Sequence, residues 1–386
     1  MKNFYSESLQ IQKEKNLYRS LKTTDVVDAV TILRGNKKLI SFSSNDYFGL
    51  SQNAAVKKSA ICAIKKFGVG AGASRYVSGN NSLYQKLEKA ISAHKKCDDA
   101  IVFSSGYSCA IGVIPALVNE ADLIVADRLI HSSLIDGAKL SGAKLMRFLH
   151  NDVVHAKKIL EENRGKFKKC LIITETVFSM DGDVGDVEGL LKLAEKFDAL
   201  LISDDAHGLC LKGGPHHEDG VTSEGVCHPV FMTGSRHVQL GTFSKAFGSL
   251  GGYVCGEKNL IDYLRNFSKS QIYSTALPPA VLAASLQALK IIKKKNPGKL
   301  ALSNAKYFCD LMNLPKPQSA IIPIILGDEK TVLKIAKNVE ENGMLISAIR
   351  PPTVEVGKSR LRITFSSLHK KSQIKKLAEI LQKNNV

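Results

Sequence analysis

From about residue 39 to residue 205 the chain alternates short apolar runs with stretches of helical spacing. This alternation constrains its fold more than any other feature. The runs "KLISFS" (38–43), "AIVF" (100–103), "DLIVA" (122–126), "AKLMRF" (143–148), "KCLIITE" (169–175) and "ALLISDD" (199–205) read as strands. Between them, "AAVKKSAICAIKKF" (54–67), "SLYQKLEKAISAH" (82–94), a stretch from about Gly106, Ser132–Leu140, "DVVHAKKILEEN" and "VEGLLKLAEKF" read as helices. Ser82 and Gln85 predict a capping box at the start of the second helix. The pattern predicts an α/β fold, a mostly parallel sheet with helices on both faces. In such sheets chemistry gathers at the carboxyl ends of the strands.

After about residue 277 the pattern changes. "PPAVLAASLQALKIIKKK" predicts a long helix opening on Pro278–Pro279, followed by a smaller α+β region that ends in "SRLRITFSS" and a basic helix. We therefore expect an N-terminal helix and arm (1–44), a large domain (45–277) and a small C-terminal domain (278–386). The first residues, "MKNFYSESLQIQKEKNLYRSLK", carry glutamates and no apolar core, so neither a secretory signal nor a transit peptide is expected. The longest apolar run, "AIIPIIL", is far short of the roughly 20 residues a membrane helix needs, and no membrane partner is expected.

The eight cysteines form no C-x-x-C pair and several sit in apolar runs, the usage expected of a reduced, cytoplasmic protein. The net charge of +18 would suit nucleic acid, a membrane surface or an acidic carrier. The lysines are dispersed, however, and no RNP-type motif or Cys/His finger accompanies them, so solvated faces are the simpler reading and no nucleic acid is expected.

Common motifs fail on context. "GVGAG" (68–72) follows a lysine-rich helix and not a strand, which argues against a nucleotide fingerprint. No Walker A loop accompanies "DDAH", and no G-x-S-x-G elbow is present. His207, His216, His217 and Asp204 could ligate a metal, but the His pair lies in a loop-like "GGPHHEDG", and no metal is expected.

More informative is "LISDDAHG" (201–208), where an apolar strand delivers Asp204 and then His207. Some forty residues on, "HVQLGTFSK" ends in Lys245 among small residues. Polar turns, "SSGYS" (104–108) and "RLIHSS" (128–133), precede helices. A lysine for a Schiff base, a strand-end aspartate to hold a pyridine nitrogen protonated and a helix N-terminus for a phosphate are the parts of a pyridoxal phosphate (PLP) site. Each part also has a plain structural reading: Asp204 can cap a turn, Ser179 can be a turn residue, and Arg350 can be held at the surface before two prolines.

The segments "TETVFSMDGD" (174–183), "SDDAHG", "TFSKAFG", "ADRLIHSSLIDG" (126–137), "HND" (150–152) and "IYSTALPP" (272–279) closely resemble the α-oxoamine synthases, fold-type I PLP enzymes. "GAGASRYVSGNN", "RFLHND" and "AIRPPTVEVGKSRLRITFSSLH" strengthen the resemblance, which runs from about Arg19 to Leu368. It implies a large domain with a mostly parallel seven-stranded sheet and a smaller C-terminal domain. Lys245 would carry the cofactor and move the α-proton, with Asp204 on the pyridine nitrogen. His207 and Ser179 would lie on the ring hydroxyl side, and His131 on the ring face. Gly106, Tyr107 and Thr242 would hold the phosphate. Ser274 and Thr275 would reach the phosphate of a second subunit, making a homodimer with active sites at its interface. Arg350 would grip the amino-acid carboxylate near Asn45, and Arg19 and Thr353 would meet the substrates.

The implied reaction is a decarboxylative condensation of L-alanine with a pimeloyl thioester of coenzyme A or acyl carrier protein. Glycine with acetyl-CoA is the alternative within the family, and a non-catalytic basic binding protein is the alternative outside it. Two positions depart from the family pattern. "HGLCL" stands where "HGTG" is common, placing Leu209 and Cys210 in a segment expected to line the acyl tunnel, and Ser244 stands where glycine is common.

Overall fold

A computed structural model describes residues 2–209 and 236–386. The chain runs through α1 (Lys2–Glu14), β1 (Asp25–Val26), β2 (Thr31–Arg34), β3 (Lys37–Ser41), α2 (Ala54–Phe67), α3 (Ser82–Lys95), β4 (Asp99–Phe103), α4 (Gly106–Leu117) and β5 (Leu123–Asp127). It continues with α5 (Ser132–Ser141), β6 (Lys144–Phe148), α6 (Val153–Asn163), β7 (Cys170–Glu175), α7 (Val187–Lys196), β8 (Leu200–Asp204), β9 (His237–Thr242) and β10 (Gly252–Gly256). Then come α8 (Lys258–Phe267), α9 (Lys269–Ile272), α10 (Pro279–Lys295), α11 (Gly298–Met312), β11 (Ile321–Gly327), α12 (Glu329–Glu341), β12 (Met344–Leu345), β13 (Ser347–Ile349), β14 (Ser359–Thr364) and α13 (Lys371–Gln382).

The chain forms two compact units. The larger comprises Phe48–Ser179 and Asp183–Lys299; the smaller comprises Met1–Tyr47, Met180–Gly182 and Leu300–Val386. The change of pattern at 278 falls inside the larger unit, because α10 packs on α2 and α3 there.

The larger unit is built on a seven-stranded sheet of order β4-β10-β9-β8-β7-β5-β6. The pairs from β9 through β6 are parallel, and β10 alone runs against its neighbours β4 and β9. The strands alternate in what they bury. Ile124 and Ala126 of β5, Leu171 and Ile173 of β7, and Ile202 of β8 join one apolar cluster with α4, α5 and α8. Leu123 and Val125, Cys170 and Ile172, and Leu201 join a second with α6 and α7. A strand covered on both faces needs continuous apolar sequence, which is why these runs show no polar alternation. Truncating such a residue, Ile173→Ala for example, costs about 2–5 kcal/mol.

The α3 cap differs from the sequence expectation. Asn81 takes the extended conformation, and its side chain accepts from the Leu83 N–H, so the N-cap lies one residue before Ser82. In the smaller unit, β3 joins a four-stranded sheet with β1, β2 and β12, and β11, β14 and β13 form a three-stranded antiparallel sheet.

Candidate active site

The parallel register sets the first side chains of the site side by side. Glu175 at the end of β7 pairs with Asp204 at the end of β8, and Asp204 with Leu240 of β9. After β8 the chain turns at once: the Ala206 N–H donates to Asp204 Oδ1 (2.9 Å). This turn presents His207. After β9 it turns again at Lys245, between Phe243 and Phe247, both fully buried with their rings edge to face at 5.0 Å. The apolar pair anchors the turn and leaves the lysine at its apex. Closure comes from the Gly248 N–H to Lys245 O (2.8 Å) and the Ser249 N–H to Phe243 O (2.9 Å). Gly248 has φ +62°, and a Cβ there would sit 2.2 Å from the Ser51 nitrogen, so only glycine fits. The two turns meet: Lys245 Nζ and His207 Nε2 are 2.6 Å apart.

His131 opens α5 as its N-cap. Its Nδ1 accepts from the Ser133 N–H (3.3 Å) and lies 2.8 Å from Ser133 Oγ, which leaves the ring proton on Nε2. Burial lowers its pKa, as does the charge of Lys245, and Asp204 only partly opposes them; the ring is neutral at pH 7. The His131 N–H donates to Glu175 Oε1 (2.6 Å). Glu175 is fully enclosed, and its pKa stands well above the carboxylate range because of burial first and of Asp204 second. Its surroundings thus push Glu175 toward the neutral form.

At the other end of the site, α4 begins with a capping box between Ser105 and Ser108. Its first-turn amides, at Gly106 and Tyr107, point along the helix axis out of its N-terminal end, where a helix leaves orphan donors. A Cβ on Gly106 would lie 3.4 Å from Thr242 Cβ, so the helix start and Thr242 form one cradle. Thr242 Oγ1 accepts from the Ser244 N–H (3.1 Å) and lies 2.8 Å from Ser244 Oγ. Ser244, unusual by comparison with the family pattern, thus adds a second hydroxyl beside Thr242. The Tyr107 hydroxyl is engaged by Asp136 (2.6 Å), so the amide of Tyr107 is what it offers the cradle. A helix N-terminus with two hydroxyls suits a phosphate, and a lysine, an aspartate and a neutral histidine suit a pyridoxal ring. The side chains present fit PLP.

Ser179 is buried on the segment after β7. That segment is held by His150, whose Nδ1 lies 3.1 Å from Asp127 Oδ1 and whose Nε2 lies 2.8 Å from Asp183 Oδ2. The His150 ring meets Phe178 edge-on at 4.4 Å. Burial disfavours its charge, but the two carboxylates outweigh burial and raise its pKa to about 10. Ser274 and Thr275 follow α9. Thr275 bridges to Ser74, and Tyr273 beside them is 82% exposed.

The remaining expected residues lie in the smaller unit. Asn45 Oδ1 accepts from both terminal nitrogens of Arg362 (3.3 Å each). Arg350 Nη1 donates to Asn16 O, Arg19 Nη2 donates to Pro351 O (3.1 Å), and the Thr353 N–H donates to Arg350 O (3.1 Å). Burial and the neighbouring Arg19 charge lower the pKa of Arg350, and its Nε is buried without a hydrogen-bond partner. Two guanidiniums and an orphan donor in one place call for an anion. Cys210, His216 and His217 lie outside the described residues; Leu209 is buried.

Sequence reasoning missed Glu175, His150 and Arg362. The first had a signal, an acid closing the apolar run "KCLIITE" next to a strand that also ends in an acid.

Comparison with known proteins shows what the whole chain is similar to. The family described as aminotransferase class I and II matches residues 37–381. The 8-amino-7-oxononanoate synthase of Methylocella silvestris is 42% identical over 353 residues, covering 91% of this chain and 98% of that protein. That of Granulibacter bethesdensis is 40% identical over 381 residues, covering 98% and 97%. Among solved structures, a serine palmitoyltransferase of S. paucimobilis with PLP and myriocin bound superposes with TM-score 0.88 at 24% identity, covering 99% of this chain and 96% of that one. The 8-amino-7-oxononanoate synthase of Francisella tularensis gives TM-score 0.74 at 29% identity, covering 90% and 98%.

Proposed function

This chain belongs to the aminotransferase class I and II family, in its α-oxoamine synthase branch, and from that premise we propose that it is an 8-amino-7-oxononanoate synthase. It is a PLP-dependent C-acyltransferase of biotin biosynthesis that joins L-alanine to a pimeloyl thioester with loss of CO2 and of the thiol carrier. The observation that carries the site assignment is the meeting of Lys245 and His207 at 2.6 Å, on turns that follow adjacent strands.

Bound there, PLP supplies an electron sink for negative charge at the substrate α-carbon. The residues of the chain do the rest. Asp204 holds a proton on the ring nitrogen through its negative charge. Lys245 Nζ takes the α-proton and later returns it, and His207 at hydrogen-bond distance orients that amine. Neutral His131 offers a flat face and an Nε2–H without adding charge. Gly106, Tyr107, Thr242 and Ser244 receive the phosphate. In the smaller unit, Arg350 receives the amino-acid carboxylate, supported by its orphan Nε; Arg19, Thr353 and Asn45 complete the substrate contacts.

A homodimer is part of the proposal. Val69, Tyr76, Val77 and Tyr273 of the larger unit are exposed by half or more, an apolar surface that a second copy would cover. Ser274 and Thr275, beside Tyr273, would then serve the partner's phosphate. The dispersed positive charge suits an acidic carrier protein as well as coenzyme A, and a cytoplasmic location suits both.

The test is turnover. Purified protein with PLP should form 8-amino-7-oxononanoate and CO2 from L-alanine with pimeloyl-CoA or pimeloyl-acyl carrier protein. Turnover only with glycine and acetyl-CoA would overturn the substrate assignment, and absence of any PLP uptake would overturn the enzyme assignment.

A further inference from the structure

One buried charge pair in the larger unit has no part in the chemistry above. Lys95, the last residue of α3, and Asp205 are both enclosed, with side chains fully shielded from water and Nζ 2.5 Å from Oδ2. Asp205 Oδ1 accepts from the Thr176 hydroxyl (2.6 Å). The Asp205 N–H donates to Leu240 O of β9 (2.8 Å), and its carbonyl accepts from the Gly208 N–H (3.3 Å). A Cβ at Gly208 would lie 2.1 Å from Asp205 Oδ1 and 2.4 Å from Thr176 Oγ1, so the packing is closed around the carboxylate. Asp205 thus ties α3, the end of β7 and β9 to the turn that carries Asp204 and His207.

Such a pair is poor as a stabilising device, because apolar side chains of similar volume usually do as well. Its electrostatic effect is more specific. Without a counter-charge, Asp205 would add a buried negative charge beside the half-buried Asp204. Burial and Asp204 both raise the pKa of Asp205, and Lys95 and Thr176 oppose them. The other titratable groups around Asp204 are Glu175, His131, Cys109 and, through His131 and Glu175, Lys245. Around Lys95 they are His94 and Cys97.

We propose that Lys95 is a positioning residue for the cofactor, acting through Asp205 to cancel the charge beside Asp204 and to hold the Asp204–His207 turn. This role rests on the reading of the site as a PLP site. Removing Lys95 alone leaves Asp205 to titrate inside the site. Below its pKa it is neutral, and above it the added negative charge strengthens proton binding at the ring nitrogen and at Lys245.

The test compares wild type with K95M, D205N, K95R and K95M/D205N, reading PLP dissociation constants and the pH titration of the bound cofactor's visible band. K95M is expected to bind PLP roughly tenfold more weakly and to show a titration of the visible band that wild type lacks. D205N, which leaves the cation, should shift the band's titration the opposite way. K95M/D205N should return to within about threefold of wild type, and K95R should match it. A packing role alone predicts a double variant at least as damaged as K95M, with no spectral titration. K95M indistinguishable from wild type, or a double variant no better than K95M, would overturn the proposal. If K95M does not fold, D205N and the double variant decide by the same criteria. Wild-type protein that takes up no PLP would overturn the cofactor reading and this role with it.

Discussion

The main-chain N–H of His131 donates to Glu175 Oε1 at 2.6 Å, joining the start of α5 to the end of β7 through a carboxyl group whose pKa burial and Asp204 raise well above the usual range. Because these surroundings favour the neutral form, an amide can replace it. Glu175→Gln should keep the fold and most of the activity, whereas Glu175→Ala should destabilise by about 1–3 kcal/mol by leaving the His131 donor unpaired. Denaturant unfolding of the two variants checks this. The sign follows from the raised pKa: the contribution of Glu175 is complete below its unfolded value, near 4.5, and declines above it. Glu175→Gln should therefore gain stability relative to wild type as pH rises.

His150 shows the complementary case. Its pKa of about 10 makes it a cation held between Asp127 and Asp183 at neutral pH. A raised histidine pKa gives stability that is complete below about 6.5 and lost as pH rises through about 10. His150→Gln should lose stability chiefly below pH 8 and lose PLP affinity through the displaced Ser179 segment. Thermal unfolding of wild type and variant from about pH 6 to 10 measures this, and parallel curves would contradict the clamp.

Gly248→Ala should be costly out of proportion to its size. The added methyl meets the Ser51 nitrogen at 2.2 Å, and the residue keeps φ +62° only at a strain of about 1–2 kcal/mol before the clash is counted. Because the Gly248 N–H closes the Lys245 turn, kcat should fall together with stability. Crystallography or chemical denaturation with steady-state assay checks both.

Arg350→Ala should raise the KM for L-alanine roughly a hundredfold, with a smaller effect on the pimeloyl thioester. Arg350→Lys should rescue little, since an ammonium cannot supply the planar fork or the Nε donor that lies unpartnered in the native protein. Equal KM changes for the two substrates would argue against a carboxylate role.

The sheet was legible in the sequence because strands buried on both faces leave long apolar runs, and Leu123–Asp127 and Cys170–Glu175 are such runs. β10, "GYVCG", was not legible: two glycines in five residues hide a strand that pairs antiparallel with the sequence-distant β4 as well as with β9. Asp204, His207 and Lys245 stood out because strand ends in an α/β sheet are where chemistry sits. Lys95 and His150 did not, because a charge at the end of a helix or in a polar turn is usually solvated, and only tertiary packing shows what encloses it. The α3 cap was misplaced by one residue because Asn81 and Ser82 are both good caps, and backbone conformation chose between them.

The central claim is that Lys245, at the apex of its Phe-anchored turn, is the residue that carries PLP. Borohydride reduction of the protein with bound PLP, followed by peptide mapping, tests it most directly. The account predicts one pyridoxyl label, on Lys245, with the visible absorbance changed by L-alanine before reduction. A label on another lysine, or undiminished labelling of Lys245→Ala, would contradict it.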